Sequence, residues 1–396
     1  MNAQIDRHDA TASDNRYAIR CVQDPRDIER EAWNGLLAMQ PDATPFMRHE
    51  YLCALHASAS AVPETGWSPH FITLWCEGEL QAACPLYVKT HSYGEYVFDW
   101  AWANAYAQHG LSYYPKAVMA VPFTPVPGAR LLARDEQARQ ALLQAALQFC
   151  QSQQLSSLHA LWLSEVDQQT CQAEGLMSRQ TVQFHWHNTQ PGYSDFDAFL
   201  STLTQEKRKK IRQERRKVAE AGVRFRTLFG EDITPHDWDF FYRCYVQTYL
   251  EHRNAPYLTR DFFTRMAHDM PENWVMFVAE RDAHPIACSL VAISARGEKG
   301  VAYGRYWGAI ERVDCLHFEA CYYQPLQWCI AQGLQRFEGG AQGEHKLARA
   351  LLPARASSSH WLAHPDFAEA VSRYVSREGE AMGSYLEDLN SRSPLK

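Results

Sequence analysis

The densest group of residues that could do chemistry lies near the C-terminal end of the chain. Three glycines within residues 339–343 precede the run Glu344-His345-Lys346. A glycine-rich loop lets backbone N–H groups approach a ligand, where they hold a phosphate or stabilise an oxyanion. The run itself combines a carboxylate, an imidazole and an ammonium group. The alternative interpretation is a polar loop near the surface.

Two segments just before this loop carry further polar side chains. The segment VAYGRYWGA alternates like a strand and places Tyr303, Arg305 and Trp307 on one face. The helical segment that follows carries His317 on its first turn, and Glu319, Tyr322 and Tyr323 follow within about one turn. For His317 and Glu319, helix capping and salt bridging are an equally good explanation.

Other familiar catalytic patterns are absent. His185 and His187 lie in an alternating segment, FHWHN, and could form half of a metal site, but no carboxylate or cysteine stands at ligand spacing. H-E-x-x-H, G-x-S-x-G and Walker patterns do not occur, so we predict no metal centre and find no support for a hydrolase or a P-loop protein.

A basic helix is predicted over residues 204–222, in the middle of the chain. It contains eight basic and three acidic residues, a net charge of +5 in a chain whose total is −7, which leaves −12 elsewhere. Leu203, Ile211 and Val218 give it only a thin apolar stripe. The helix therefore either is solvated and paired internally, or binds an anion such as a nucleotide pyrophosphate, coenzyme A or an RNA backbone.

The elements that must position these residues occur twice. The hairpin FITLWCEGELQAACPLYV begins at Phe71 and its partner VMFVAERDAHPIACSLVA at Val275, 204 residues later. A helix and a short strand match at an offset of 179, around Cys150 and Cys329. Each copy reads strand, helix, helix, hairpin, strand, helix, strand, which predicts an α/β protein with a mixed sheet in each half and a cleft between two lobes.

Length and composition agree with a two-lobed globular protein. The chain has 396 residues, of which 46% are hydrophobic and 21% charged. The first 20 residues lack an apolar core and no stretch reaches 18 apolar residues, so neither a signal peptide nor a membrane span is predicted, and we expect a cytoplasmic protein. The 11 scattered cysteines are expected to be reduced.

Seven longer motifs resemble the FemAB-like family of peptidoglycan biosynthesis or recognition proteins, which are predicted N-acyltransferases of the GNAT superfamily. The likeness runs from about Pro45 to the C-terminus. The motifs lie at residues 89–106, 113–132, 182–188, 207–216, 304–308, 316–324 and 340–349. The resemblance implies two tandem GNAT-like lobes and transfer of an acyl or aminoacyl group to an amine. The chain departs from coenzyme-A-dependent relatives, because the segment Arg305–Ile310 does not complete their Q/R-x-x-G-x-G/A loop.

This resemblance turns the polar residues into specific expectations. Residues 1–190 form the first lobe, with an aromatic insertion at 91–130, and residues 191–396 form the second. A base must deprotonate the amine, whose pKa is near 10. Glu344 is the first candidate for that base and Glu319 the second; the remaining candidates for catalysis are His345, Tyr306 and Tyr322.

Binding roles follow in the same way. The residues expected to bind the anionic donor are Lys207, Arg208, Lys210, Arg212, Arg215, Arg305 and Lys346. Those expected to shape the acceptor site in the first lobe are Tyr93, Tyr96, Asp99, Trp100 and Trp102.

The identity of the substrates stays open at this point. No permanent cofactor is expected: acyl-CoA is the expected co-substrate, aminoacyl-tRNA the other donor considered, and the acceptor is a small-molecule, amino-acid or peptide amine or a peptidoglycan precursor. The alternative is a non-catalytic protein that uses its duplicated lobes to bind a peptide, a glycan or RNA. The sequence does not reveal the oligomeric state.

Overall fold

The computed structural model describes residues 16–340 and 343–396, and each half of the chain follows the predicted order of elements. The strands of the first half are β1 (Ala18–Val22), β2 (Trp67–Pro69), β3 (Phe71–Cys76), β4 (Glu79–Cys84), β5 (Leu86–Lys89), β6 (Lys116–Met119), β7 (Leu132–Ala133), β8 (Ser157–Leu163) and β9 (Met177–His187). Its helices are α1 (Arg30–Ala38), α2 (His49–Ala57), α3 (Trp100–Gln108), α4 (Glu136–Ser152) and α5 (Glu165–Ala173).

The second half begins with two helices, one of them the basic helix. Its helices are α6 (Phe196–Ser201), α7 (Gln205–Glu220), α8 (Pro235–Glu251), α9 (Arg260–Asp269), α10 (Leu316–Phe318), α11 (Gln324–Ala331) and α12 (Pro365–Ser391), and a π-helical turn, Glu319–Tyr323, joins α10 to α11. Its strands are β10 (Val223–Phe229), β11 (Trp274–Arg281), β12 (His284–Ile293), β13 (Val301–Ala309), β14 (Arg336–Glu338) and β15 (Leu352–Leu362). The predicted helix at 204–222 is α7, and its apolar stripe is buried as expected.

The internal repeat is visible in backbone detail. Both hairpins have two-residue turns, and in both a bulge lies in the second strand, where Gln81 and Ile286 are the extra residues. These positions differ by 205, one more than the sequence alignment. The helices α4 and α11 end in the same way, because Leu155 N donates to Cys150 O and Leu334 N to Cys329 O, each over 2.9 Å. Two copies of one supersecondary unit therefore make up the chain.

The two halves exchange their last strands. A four-stranded sheet has the order β1-β3-β4-β7, and an eleven-stranded sheet has the order β10-β11-β12-β13-β14-β9-β15-β8-β6-β5-β2. Thus β9, from the first half, lies between β14 and β15 of the second, and β15 pairs with β8 of the first. The large sheet therefore runs through both lobes, and the predicted boundary at 190–191 falls just after the exchanged strand β9.

One parallel pair in each half interrupts an otherwise antiparallel arrangement of the described strands. These pairs are β6 with β8 and β13 with β14. Helices cover the sheet; α8 packs so closely on β13 that a Cβ at Gly308 would lie 2.1 Å from Cys244 O. Within the described residues, no helix is both long and apolar enough to cross a membrane.

Candidate functional site

The principal site is a cavity where β13 and β14 separate. The two strands pair over only three residues, ending at Tyr303 and Glu338. Beyond that point β13 remains paired with β12, whereas the segment after β14 turns into the loop of Gly339 and Gly340. In that loop, Gly339 N donates to Phe184 O over 3.1 Å. The gap opens into a cavity of about 340 Å³, which we call the donor cavity for the role proposed below.

The ionisable groups that line the donor cavity, apart from tyrosine and cysteine side chains, are basic: Arg305, His317, His345 and Lys346. No carboxylate occurs among the described residues of its lining. Because the site carries positive charge without a compensating acid, it favours an anionic ligand.

Arg305 is the most direct anion-binding group of this cavity. One Nη donates to Phe123 O over 2.9 Å, and the guanidinium lies 5.1 Å from the centre of the Phe46 ring. Its Nε is buried without a hydrogen-bond partner, and no salt bridge to a described carboxylate forms. A partly buried cation without a counter-ion is unfavourable, so the cavity favours a carboxylate or phosphate as its ligand.

Burial shifts the pKa of the other basic groups downward. Desolvation is the main cause in each: it lowers the pKa of Lys346 to about 8 and that of His317 to about 4, and it also lowers that of His345. Lys346 Nζ donates to Gly340 O over 2.8 Å, and His345 Nε2 lies 3.0 Å from Tyr322 OH. At neutral pH the site therefore holds two uncharged imidazoles beside an ammonium group that releases its proton readily.

Neither carboxylate predicted as the base lines this cavity. Glu344 is exposed and faces α12, where its oxygens accept from Tyr385 OH over 2.7 Å and from Arg392 over 3.2 Å; the Tyr385 bond lowers its pKa. Glu319 is buried and accepts from Arg215 Nε over 3.1 Å. The structure brings together Arg305, Tyr306, Tyr322, His345 and Lys346, and leaves both acids outside.

The basic helix borders a different depression, which we call the arginine groove. This groove of about 700 Å³ lies between α6, α7, β10 and α11, and its basic residues are Arg212, Arg215, Arg216 and Arg224. Lys207 pairs with Glu206, Arg208 Nη1 donates to Ser201 O, and Lys210 is exposed. Thus the seven predicted donor-binding residues divide into Arg305 and Lys346 in the cavity and five on α7.

A single turn of chain separates the arginine groove from the donor cavity. In the π-helical turn, Glu319 faces the groove whereas Cys321 and Tyr322 face the cavity. On α7, Glu214 fixes this arrangement by accepting from Arg349 over 3.0 Å and from Tyr323 OH. π-helical turns often occur at functional sites.

The predicted acceptor residues are dispersed by the structure. Tyr93 and Trp100 form an exposed pair with ring centroids 5.3 Å apart. Trp102 is buried against His360. Of the five, Tyr96 alone lines the donor cavity, and it also lines a second cavity of about 410 Å³, bounded by β9, β15 and α12.

Asp99 belongs to a buried ion network, which consists of Lys89, Glu95, Asp99 and Lys116. Each of these side chains is at most 3% exposed, although lysine and acidic residues are rarely buried. Lys116 Nζ donates to Glu95 over 2.8 Å and to Asp99 over 2.5 Å. The sequence analysis did not predict this network. The feature that could have indicated it is a lysine at a terminus of each of two apolar strands, the last residue of β5 and the first of β6.

The insertion that carries this network also closes the gap between β6 and β8, which is the first-lobe equivalent of the gap between β13 and β14. There the chain after β6 returns to β8: Gly128 N donates to Trp162 O over 3.0 Å and Ser164 N to Gly128 O over 2.9 Å. This returning segment fills the space between β6 and β8, and its Phe123 and Pro125 line the donor cavity of the second lobe. The two lobes therefore differ in structure at this position: the gap is filled in the first lobe and open in the second.

The other features predicted from sequence are placed as follows. His185 Nε2 lies 3.2 Å from Gln183 Oε1, and within residues 16–340 and 343–396 no group of three His, Cys, Asp or Glu side chains could hold a metal. Gly308, the glycine of the incomplete pyrophosphate motif, lies inside β13 against α8 rather than in a loop.

Two mixed lobes, each with a parallel strand pair, make up the tandem GNAT-like fold that the sequence predicts. The chain belongs to the FemAB-like family, described as peptidoglycan biosynthesis/recognition, whose model matches residues 24–396. No curated protein matches the sequence.

Solved structures with low sequence identity share the fold. FemX is 9% identical, with a TM-score of 0.55 over 87% of this chain and 98% of that one. L-PGS from Bacillus licheniformis is 11% identical, with a TM-score of 0.51 over 88% of this chain and 97% of that one. A tandem GNAT protein from the clavulanic acid pathway is 13% identical, with a TM-score of 0.46 over 88% and 99% of the two chains.

Proposed function

We propose that the protein transfers an aminoacyl group from a tRNA ester to an amine of a peptidoglycan precursor, and that the reaction takes place in the donor cavity. The observation that carries this proposal is the set of basic side chains around the gap between β13 and β14, with Arg305 lacking a counter-ion. The family's description supports the peptidoglycan context.

The donor is proposed to be a tRNA rather than acyl-CoA for two reasons. The only glycine of the Arg305–Ile310 segment packs against α8, so it cannot form a pyrophosphate loop. Moreover, α7 exposes basic residues along the arginine groove, one turn of chain away from the cavity. A row of this kind binds successive phosphates of a nucleic acid, and its affinity depends on salt.

The chemistry is assigned to the groups that line the cavity. The amine attacks the ester carbonyl, a C–N bond forms, and the C–O bond to the ribose breaks. His345, assisted by its contact with Tyr322, accepts the proton that the amine loses, and the Lys346 ammonium donates a proton to the leaving ribose oxygen. Arg305 holds the anionic end of the donor, and Tyr306 forms the wall beside it.

The second cavity is proposed as the acceptor side of the site, because Tyr96 is a wall of both cavities. Its charged residues, Arg179 and Glu378, form a bidentate pair of 2.7 and 2.9 Å, so it contains the carboxylate that the donor cavity lacks. An acceptor amine that enters this side meets an ion pair with no net charge, whereas an anionic donor is attracted to the positive charge of the other cavity.

The test compares donors directly. The purified protein is incubated with total bacterial tRNA charged with radiolabelled amino acids, or with labelled acetyl-CoA, and with a peptidoglycan-precursor extract as acceptor. Transfer of label from tRNA supports the proposal, and transfer from acetyl-CoA alone refutes the choice of donor. Binding of charged tRNA without transfer identifies a non-catalytic binding protein instead.

A pair of matched variants locates the RNA contact. Lys210→Glu on α7 should weaken tRNA binding and reduce its salt dependence, whereas Arg377→Glu, the same change of charge on the exposed face of α12, should not. Equal effects of the two changes would show that α7 is not the contact.

A further inference from the structure

Tyr96, the wall that both cavities share, is held in an unfavourable backbone conformation. Its φ is +59°, in the left-handed region that residues with a side chain seldom adopt. Such a conformation persists only when the surrounding structure enforces it, and it recurs at functional sites. At Tyr96 the buried ion network enforces this conformation.

The buried ion network binds the chain on both sides of Tyr96. Lys116 Nζ donates to three side chains of the arc 92–99: to Ser92 over 2.8 Å, to Glu95 over 2.8 Å and to Asp99 over 2.5 Å. Lys89 Nζ donates to Tyr93 O, within the same arc, over 2.9 Å. Two lysines of adjacent strands thus fasten one short arc of the insertion to the sheet.

The hydrogen bonds continue from the network to the opposite wall of the second cavity. Tyr113 OH donates to Asp99 over 2.6 Å and lies 2.9 Å from His159 Nε2. The Nδ1 atoms of His159 and His360 are 2.7 Å apart, and His360 Nε2 lies 2.9 Å from Ser358 Oγ, which lines the cavity. One continuous set of contacts therefore fixes both the Tyr96 wall and the Ser358 wall.

We propose that Lys116 is a positioning residue for the transfer reaction: through Glu95 and Asp99 it holds Tyr96 as the partition between the two cavities, and so sets how the acceptor meets the donor. This role rests on the function proposed above. Lys116 is fully buried and lines neither cavity, so it acts through the arc and not by contact with a substrate.

Two variants separate positioning from general stability. Lys116→Met leaves two carboxylates poorly compensated and lowers the melting temperature. The double variant Asp99→Asn, Lys116→Met removes one charge of each sign and leaves Lys89 with Glu95. It recovers most of that loss, because removing both partners of a buried ion pair is far less harmful than removing one. Arg134→Met, which breaks an exposed ion pair with Glu79, is the control.

The decisive measurements use the double variant. We expect amide hydrogen exchange in residues 92–99 to be at least tenfold faster than in the wild type, with unchanged exchange in the β11–β12 hairpin. We expect the KM for the precursor extract to rise at least fivefold, while the Kd for charged tRNA stays within twofold. A loss of stability alone would not produce this division between acceptor and donor.

Wild-type exchange in residues 92–99 of the double variant would overturn the proposal, because packing alone would then hold the arc. Faster exchange with an unchanged KM would also overturn it, since the position of Tyr96 would not matter. If the wild type transfers nothing, the function proposed above fails by itself; exchange in the arc then decides whether the ion network holds Tyr96.

Discussion

Replacing Lys346 by methionine should make the protein more stable and at the same time less able to bind its donor. Desolvation lowers the pKa of Lys346 from 10.5 to about 8, and the side chain is 2% exposed. Each pKa unit corresponds to about 1.4 kcal/mol, so holding the charged form in the folded protein costs about 3 kcal/mol at pH 7. Methionine has a similar length and removes that cost.

The dependence on pH follows from the sign of the shift. Between about pH 8 and the unfolded value near 10.4, the unfolded chain holds a proton on this lysine that the folded protein does not, so wild-type stability gains from rising pH. The methionine variant lacks this contribution. We therefore expect a stability difference of about 2–3 kcal/mol in favour of the variant at pH 7 that disappears by about pH 10.

Guanidinium unfolding of both proteins at pH 7, 8.5 and 10 measures this difference in stability. For a chain of this length, the same difference at pH 7 corresponds to a melting temperature about 3–4 °C higher in the variant. Binding of charged tRNA by the same samples should be weaker in the variant at pH 7. The reasoning is refuted if the variant is less stable than the wild type at pH 7, or if the difference is the same at all three values.

Three further predictions concern neighbouring residues. Arg305→Met should weaken binding of charged tRNA by about 10–100-fold, since one charged hydrogen-bonding group is worth about 1.5–3 kcal/mol; filter binding measures this, and an unchanged Kd would exclude Arg305 from the donor site. Glu344→Gln should leave the rate of transfer within twofold of the wild type, because this carboxylate faces α12; a large loss of kcat would restore it as the base. Glu214→Gln should destabilise the protein by about 3–5 kcal/mol, because it leaves Arg349 buried without a carboxylate; chemical denaturation would show a smaller change if solvent reaches that pair.

The features that depend on local pattern were predictable from the sequence. The two hairpins, the paired helices and α7 all appear as expected, because strand alternation, turn residues and helical periodicity are short-range properties. The repeat also predicted correctly that each half has the same order of elements. The exchange of β9 and β15 between the lobes could not be predicted from the sequence, because an apolar strand pairs equally well with either lobe.

The site was only partly predictable, for a different reason. Arg305, Tyr322, His345 and Lys346 line one cavity because they flank one pair of strands, and their roles stay predictions. Glu344 is adjacent in sequence, yet it points to the opposite side, because the chain forms a 3₁₀ turn over Glu344–Arg349.

Burial explains why the predicted acceptor residues are dispersed. Asp99 was expected to shape the acceptor site, but it is buried and paired with Lys116, 17 residues away in sequence. Phe123 reaches the cavity of the other lobe, a contact that local pattern does not reveal.

The exchanged strands also carry information about the origin of the chain. Ser157 of β8 is opposite Leu362 of β15, and Arg336 of β14 is opposite His187 of β9, so each lobe receives its partner's last strand at the equivalent position. This is the pseudo-twofold geometry of a domain-swapped homodimer. Joining two such subunits into one polypeptide would leave one copy free to lose its ligand gap while the other retained it, which accounts for the filled space beside β6 and the open one beside β13.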